Sequence, residues 1–148
     1  MAYIGPLEDR IAIRELHETY ADAGFRGDME QWLGCFIDDC TWVTPYGEMH
    51  GKEELKATWD QIFANLGALG FFTVMGSIEV DGDNATDRAY IREVFLAKDG
   101  AIQKLVGSYV DQLFGIERLA IFPMGPCDQF GIDYPAHEQH TFLVIALL

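Results

Sequence analysis

The spacing of apolar residues changes once along this chain, from a helical period in the first half to a strand period in the second. The second half contains three runs rich in β-branched and aromatic residues, at 71–80, 85–97 and 101–114. Each run is separated from the next by a short polar segment that contains glycine, which is typical of the loops that join antiparallel strands. We therefore expect a meander of three long antiparallel strands.

Three segments before this change have the periodicity of amphipathic helices. The first should end near Gly24 or Gly27, and Asp28 is a good N-cap for a short second helix. The third covers 51–66 and has one aromatic face. A short run at 41–44, between the second and third helices, is rich in β-branched and aromatic residues and predicts a strand.

Helices that precede a run of antiparallel strands predict the α+β class, with a curved antiparallel sheet packed on three N-terminal helices. The concave space between helices and sheet would form a pocket for a small apolar molecule. With 148 residues the chain is long enough for one domain, which we place at 1–122. Residues 123–148 form an atypical tail, and its apolar end should dock on the domain or on a neighbouring subunit.

The charge of the chain restricts its partners. A formal net charge of −14 repels phosphate backbones and anionic membrane surfaces, so neither nucleic acid nor a membrane is expected. The apolar run at 142–148 is far shorter than the roughly 20 residues of a membrane helix. Residues 1–7 lack the features of a secretion signal, so we expect a cytoplasmic protein.

The sequence contains no motif that indicates a cofactor. There is no glycine-rich phosphate loop and no nucleophile elbow, and the three cysteines have neither disulfide nor zinc spacing. His137 and His140 in the tail lack the spacing of a zinc helix, so no metal site is predicted. His17, in the first helix, flanks the apolar stripe and could reach the rim of the pocket, but we predict that it lies at the surface.

Several short patterns together resemble a known family. They occur in a fixed order between residues 9 and 113. The patterns are Ile13-x-x-Leu16-x-x-x-Tyr20, Asp39-x-x-Trp42, Gly51-x-x-x-Leu55, Val80-Asp81-Gly82-Asp83-x-Ala85 and Gly107-x-Tyr109-x-Asp111. This set resembles the SnoaL-like and scytalone-dehydratase-like branch of the nuclear transport factor 2-like superfamily. The resemblance implies a cone-shaped α+β barrel of the cystatin-like type, often assembled as a dimer or trimer through the outer side of the sheet.

The resemblance also implies a chemistry that this chain departs from. Dehydratase-like relatives use an Asp near the end of the first helix together with a His on the first long strand. Those two positions align here with Phe25 and Thr73, neither of which can transfer a proton. Two functions therefore stay open: a cofactor-free dehydratase, isomerase or cyclase, and a non-catalytic binding or assembly module.

Tyr109 and Asp111 are the first pair of candidate catalytic residues. They are two residues apart on one predicted strand, so their side chains share a face of the sheet. On the concave face they would form a general base beside a hydrogen-bonding phenol. The alternative for Asp111 is an ion pair with Arg88 or Arg92 on the neighbouring strand.

Tyr20 and Asp22 on the first helix are the second pair. Tyr20 could polarise a substrate carbonyl, or it could fill the core. The same two alternatives hold for Tyr109. Asp22 could present a carboxylate to the pocket, or it could pair with Arg26 one helical turn away. The predicted pocket walls, which could equally be ordinary core, comprise Phe25, Trp42, Trp59, Phe63, Thr73, Tyr90 and Arg92.

Overall fold

The computed structural model describes residues 3–44, 47–114, 119–122 and 146–147. Within these ranges the helices are α1 (Leu7–Arg26), α2 (Met29–Gly34) and α3 (Gly51–Asn65). The strands are β1 (Tyr3–Ile4), β2 (Thr41–Thr44), β3 (Gly47–His50), β4 (Leu66–Asp81), β5 (Asn84–Ala97), β6 (Ile102–Phe114), β7 (Leu119–Phe122) and β8 (Ala146–Leu147). This order of helices and strands confirms the α+β class.

The ends of the first two helices follow from local chemistry. Gly27 ends α1 in the left-handed conformation, with φ of 69°, and its N–H donates back to the last turn of the helix. Asp28 then caps α2, because its carboxylate accepts a hydrogen bond of 3.0 Å from the backbone N–H of Gln31. Both positions agree with the expectation from sequence.

The main sheet has the strand order β1-β4-β5-β6-β7. Strands β4 to β6 form the predicted antiparallel meander and β7 extends it, whereas β1 pairs parallel to β4, so the whole sheet is mixed. Strand β4 begins at Leu66, earlier than predicted, and includes Gly67 and Gly70. Pairing of this segment with the end of β5 overrides the usual preference of glycine for turns.

A second, smaller sheet has the order β3-β2-β8. The sequence predicted β2 but not β3, whose residue His50 pairs with Thr41 of β2. In β8, Leu147 pairs with Trp42 of β2. The rest of the predicted tail beyond residue 122 lies outside the described residues.

Strand β5 shows which face of the main sheet points inward. Buried and exposed side chains alternate along it. The buried side, which meets α1, carries Ala85, Asp87, Ala89, Ile91 and Glu93. The exposed side carries Thr86, Arg88, Tyr90 and Arg92. The prediction that Tyr90 and Arg92 line an inner pocket is therefore wrong, because both belong to the outward set.

The outer face of the sheet also exposes apolar side chains, including Phe72 and Val74 on β4 and Val106 on β6. Phe72 and Val106 are both register partners of Arg92, so they flank it on the same face. Assembly through this face stays a prediction. None of the helices in the described ranges is long and apolar enough to span a membrane.

Candidate functional site

Two groups of buried polar side chains lie on the inner face, at opposite ends of β5. At one end Asp87 is the register partner of Asp111 on β6. At the other end Glu93 is the register partner of Phe71 on β4 and Leu105 on β6. Six residues of strand separate Asp87 from Glu93, which corresponds to about 20 Å. Asp87 and Glu93 are therefore far apart, but the groups around them adjoin, because Tyr109 and Asp111 are successive inward residues of β6 and the charge of Asp111 acts on Tyr109.

The glutamate–tyrosine cluster consists of Glu93, Tyr109 and Tyr20. All three side chains are buried, with exposures of 2%, 1% and 2%. The hydroxyl of Tyr109 donates to Glu93 Oε1 over 3.5 Å, which is a long and weak hydrogen bond. The hydroxyl of Tyr20 is buried near that of Tyr109 but makes no well-formed hydrogen bond to any of the described residues. A polar atom of a ligand could satisfy it.

Burial sets the protonation states of this cluster. It raises the pKa of Glu93 from 4.5 to about 8, while the hydrogen bond from Tyr109 opposes the rise. Burial also raises the pKa of Tyr20 and of Tyr109 well above the usual value, and negative charge on Glu93 raises the pKa of both further. Near neutral pH the two phenols are thus hydrogen-bond donors, and the carboxyl can gain or lose a proton.

An aromatic cluster adjoins these polar groups. The ring of Trp32 lies 5.6 Å from that of Tyr20 and 4.9 Å from that of Trp59, measured between centroids. Trp42 stacks on Trp59 at 5.7 Å, and Phe63 lies 5.3 Å from Trp59. Trp42, Trp59 and Phe63 therefore share one wall, and the indole N–H groups of both tryptophans lack hydrogen-bond partners among the described residues.

A shallow surface depression lies beside this wall. Its lining comprises Ala23, Gly24, Gly27, Asp28, Met29, Trp32, Trp59 and Phe63. The small residues at the end of α1 keep it open, since a Cβ on Gly27 would lie 3.6 Å from Cε1 of Phe63. Trp32 lines the depression and also contacts Tyr20, so a chain of ring contacts leads from this opening towards Glu93.

The aspartate–histidine cluster consists of His17, Asp87 and Asp111. His17 Nε2 lies 2.8 Å from Asp87 Oδ2 and 3.4 Å from Asp111 Oδ2. Burial raises the pKa of Asp111, and the neighbouring Asp87 raises it further. The prediction that His17 is a surface residue is wrong. It is one turn after Ile13 on the buried stripe of α1, and only 3% of it is exposed.

Two of the predicted site residues on α1 face solvent instead. Asp22 is exposed and accepts a hydrogen bond of 2.9 Å from Arg26 Nε, so the ion-pair alternative describes it. Phe25 is 55% exposed and does not line the depression beside Trp59. The predictions that place Asp22 and Phe25 inside the pocket are wrong, because their positions turn away from the stripe that α1 buries.

The other predicted site residues face inward. Thr73 is half-buried and pairs with Ile91, one inward position away from Phe71. Tyr20, Tyr109 and Asp111 are all buried. The alternative ion pair of Asp111 with Arg88 or Arg92 is wrong, since both arginines occupy the exposed side of β5.

Asp87 and Glu93 were not predicted as site residues, although the sequence contains a signal for both. The odd-numbered positions of β5 include Ala85, Ala89 and Ile91, whereas the even positions carry both arginines. This alternation indicates that the odd side is buried. Polar residues on that side are exceptions to the pattern, and such exceptions often mark function.

A family model for the SnoaL-like domain matches residues 5–114. The chain belongs to this SnoaL-like family. The match covers the helices, the glutamate–tyrosine cluster and the aspartate–histidine cluster, and it confirms the resemblance found in the sequence patterns. No curated protein sequence matches the chain.

Solved structures agree with this membership. A candidate aromatic ring hydroxylase from Novosphingobium aromaticivorans superposes with a TM-score of 0.71 at 24% identity, covering 78% of this chain and 87% of that one. A candidate scytalone dehydratase from the same organism gives 0.70 at 18% identity, with coverages of 77% and 80%. A cystatin-like protein of unknown function from Nostoc punctiforme gives 0.66 at 20% identity, with 79% and 90%. At these identities the likeness establishes the cystatin-like fold of this SnoaL-like protein and not its reaction.

Proposed function

We propose that this SnoaL-like protein is a cofactor-free lyase or isomerase that moves a proton on a small apolar cyclic compound bearing a carbonyl group. The observation that carries the proposal is Glu93, a buried carboxyl with a pKa of about 8 beside two buried phenols. A general base works best when its pKa is near the working pH. The family's usual Asp and His positions, Phe25 and Thr73, cannot supply one.

Each member of the cluster has one task in the proposed step. Glu93 takes the proton from the carbon next to the substrate carbonyl, and the C–H electron pair forms an enolate. Tyr20 and Tyr109 donate hydrogen bonds to the enolate oxygen. In dehydration, a β-hydroxyl then leaves with the proton of Glu93 as water. In isomerisation, Glu93 returns the proton to a different carbon.

The aromatic cluster supports an apolar, ring-containing substrate. Rings pack well against the faces and edges of Trp59 and Phe63, both of which line the depression. Because only 2% of Glu93 is exposed, a substrate must displace the rings of Trp32 or Tyr20 to reach it. Ligand binding and a rearrangement of these rings are therefore expected to occur together.

The proposal can be tested without knowing the product. Cyclic ketones and β-hydroxy ketones that raise the Tm are incubated with the protein in D₂O, and NMR follows the exchange of the proton next to the carbonyl. We expect Glu93→Gln to slow this exchange by about 100-fold or more. Asp22→Asn removes an exposed carboxylate and serves as the matched control. Full exchange in the Glu93→Gln variant would refute the proposal.

The pH dependence of the exchange provides a second readout. A base must be deprotonated, so the rate should rise about tenfold per pH unit below pH 8 and level off above it. The titratable groups that face Glu93 are Tyr109 from β6 and Tyr20 from α1, and burial keeps both protonated in this range. A rate that falls as the pH rises from 6 to 8 would contradict the role of Glu93 as the base.

A specific observation also favours the second candidate, a non-catalytic module that binds a small molecule. The rings around Trp32 already fill the interior, at centroid distances between 4.6 and 5.7 Å. A ligand would then bind only in the depression. Ligands that raise the Tm equally in wild type and Glu93→Gln, with no proton exchange in either, would support this candidate.

A further inference from the structure

The aspartate–histidine cluster brings together side chains from three elements. His17 comes from α1, Asp87 from β5 and Asp111 from β6, so the cluster joins the first helix to the two central strands of the meander. One ligating atom from each residue lies within 4.8 Å of the other two. The proton transfer proposed above assigns no task to this cluster, although Asp111 is the next inward residue after Tyr109 on β6 and its charge acts on that phenol.

The polar atoms of this cluster are incompletely satisfied. Asp87 Oδ1 and both carboxylate oxygens of Asp111 are buried and accept no well-formed hydrogen bond from the described residues, and contact between the two carboxyl groups becomes favourable only when one of them carries a proton. Nor does any Lys or Arg in the described ranges form an ion pair with either carboxylate. Buried carboxylates are costly unless a cation or hydrogen-bond donors compensate them. One imidazole can supply at most one positive charge, so it cannot balance two buried carboxylates.

The spacing of the ligand atoms suits a metal ion. Ligands about 2.1 Å from a metal lie about 3.0 Å apart at the corners of an octahedron and about 3.4 Å apart at those of a tetrahedron. The observed distances from His17 Nε2 are 2.8 Å to Asp87 Oδ2 and 3.4 Å to Asp111 Oδ2. Small rotations of the two carboxyl groups would therefore place one atom of each residue around a single ion.

We propose that His17, Asp87 and Asp111 bind one divalent transition-metal ion. An imidazole nitrogen with two carboxylate oxygens favours first-row ions such as Zn²⁺ over Mg²⁺ and Ca²⁺, which prefer oxygen ligands alone. The ion's two positive charges balance the two carboxylates. Since all three side chains are almost fully buried, the ion is structural and links α1 to the sheet.

The test uses the full-length protein and Zn²⁺ as the probe. The protein is unfolded in denaturant with EDTA, refolded with or without Zn²⁺, and freed of loose ions by gel filtration. Elemental analysis should then find about one Zn²⁺ per chain, and the Zn²⁺ form should have the higher Tm. Wild-type protein that retains less than about one ion per ten chains, with the same Tm in both forms, would overturn the proposal.

Variants assign the ion to this cluster. Asp87→Asn and Asp111→Asn should each reduce the retained Zn²⁺ by about tenfold or more. Glu93→Gln, the matched control, removes a buried carboxylate from the other end of β5 and should retain the ion. The double variant His137→Ala/His140→Ala should also retain it, and loss of Zn²⁺ in that variant would assign the ion to the tail and overturn the proposal.

If the aspartate variants fail to fold, the ligands of the Zn²⁺ ion can still be identified in the wild-type protein. X-ray absorption of the Zn²⁺ form should show one imidazole and otherwise oxygen ligands. Two or more imidazoles, or any sulfur ligand, would overturn the proposal. A cluster held together only by a proton shared between the two carboxyl groups would give no retained ion, which also counts against it.

Discussion

The two ends of the buried side of β5 differ in how they hold a carboxyl group out of water. At the Asp87 end two carboxyl groups and an imidazole lie within contact distance, so each carboxyl group has polar neighbours, but one imidazole cannot balance two carboxylates. At the Glu93 end a single carboxyl has one long hydrogen bond from a phenol and is otherwise surrounded by rings and aliphatic side chains. Burial alone therefore does not determine what a carboxyl group can do, because its neighbours decide whether it transfers a proton or binds a cation.

This difference explains our separate proposals for the two ends. Burial raises the pKa of both Glu93 and Asp111, but of the two Glu93 is the one that lies apart from other carboxyl groups, which suits it to proton transfer near neutral pH. Carboxyl groups grouped around an imidazole are suited to holding a cation. Four changes test this contrast, here ordered from the largest expected effect to the smallest.

The largest effect is expected from the pH dependence of stability at the Glu93 end. Glu93 titrates at about 8 in the folded protein and near 4.5 when unfolded, so the folded state binds more protons between these values. The protonation of Glu93 therefore stabilises the folded state fully below pH 4.5, and this stabilisation is lost as the pH rises to 8. The difference between the folded and unfolded pKa of Glu93 corresponds to about 5 kcal/mol in the free energy of unfolding.

Glu93→Gln should abolish this pH-dependent loss. Chemical denaturation at several pH values would give the free energy of unfolding of both the variant and wild type. The difference between the two cancels the pH dependence that comes from the other acidic groups, because both proteins share them. The free energies of unfolding should diverge in favour of the variant as the pH rises from 5 to 8. Parallel curves would show that Glu93 has an ordinary pKa.

Trp32→Ala tests whether the aromatic cluster supports the Glu93 end. Trp32 is 2% exposed and contacts four other rings, so its loss should lower the free energy of unfolding by about 3–5 kcal/mol. Phe72→Ala removes a ring that is 57% exposed on the outer face, and it should change stability by less than about 0.5 kcal/mol. Equal losses in the two variants would contradict the packing described here.

Tyr109→Phe removes the hydrogen bond that the described residues provide to Glu93. Because this bond is 3.5 Å long, we expect a loss of at most about 1 kcal/mol. The pKa of Glu93 should rise further, since Tyr109 stabilises the carboxylate. Carbon-13 NMR of the Glu93 carboxyl group would measure that change, and an unchanged or lower pKa would argue against the contact.

The smallest effect is expected for Asp22→Asn. Its ion pair with Arg26 is solvent-exposed, and such pairs within a helix contribute about 0.3–0.5 kcal/mol. Thermal unfolding in low and high salt would measure the difference between the variant and wild type. A loss above about 1 kcal/mol would mean that Asp22 has a role that its exposed position does not explain.

Sequence analysis located most elements because their signals are local. The capping of α2 by Asp28 and the two polar turns of the meander each depend on a few neighbouring residues. Strand β1 and the first residues of β4 were missed, because their pairing partners lie far away along the chain. Tyr20 and Tyr109 were predicted to lie in the site, whereas His17, Asp87 and Glu93 were not.

The sequence by itself determined the α+β class, the order of the elements and the family, because hydrophobic periods, turn residues and short patterns can be identified without any long-range contact. Only the tertiary structure decided which carboxyl groups meet which partners. His17 and Asp87 are 70 residues apart in the chain, and the hydrogen bond between them depends on how α1 crosses the sheet. The side of β5 that is buried, with Glu93 on it and Arg92 off it, depends on strand register, since a shift of one residue exchanges the two faces.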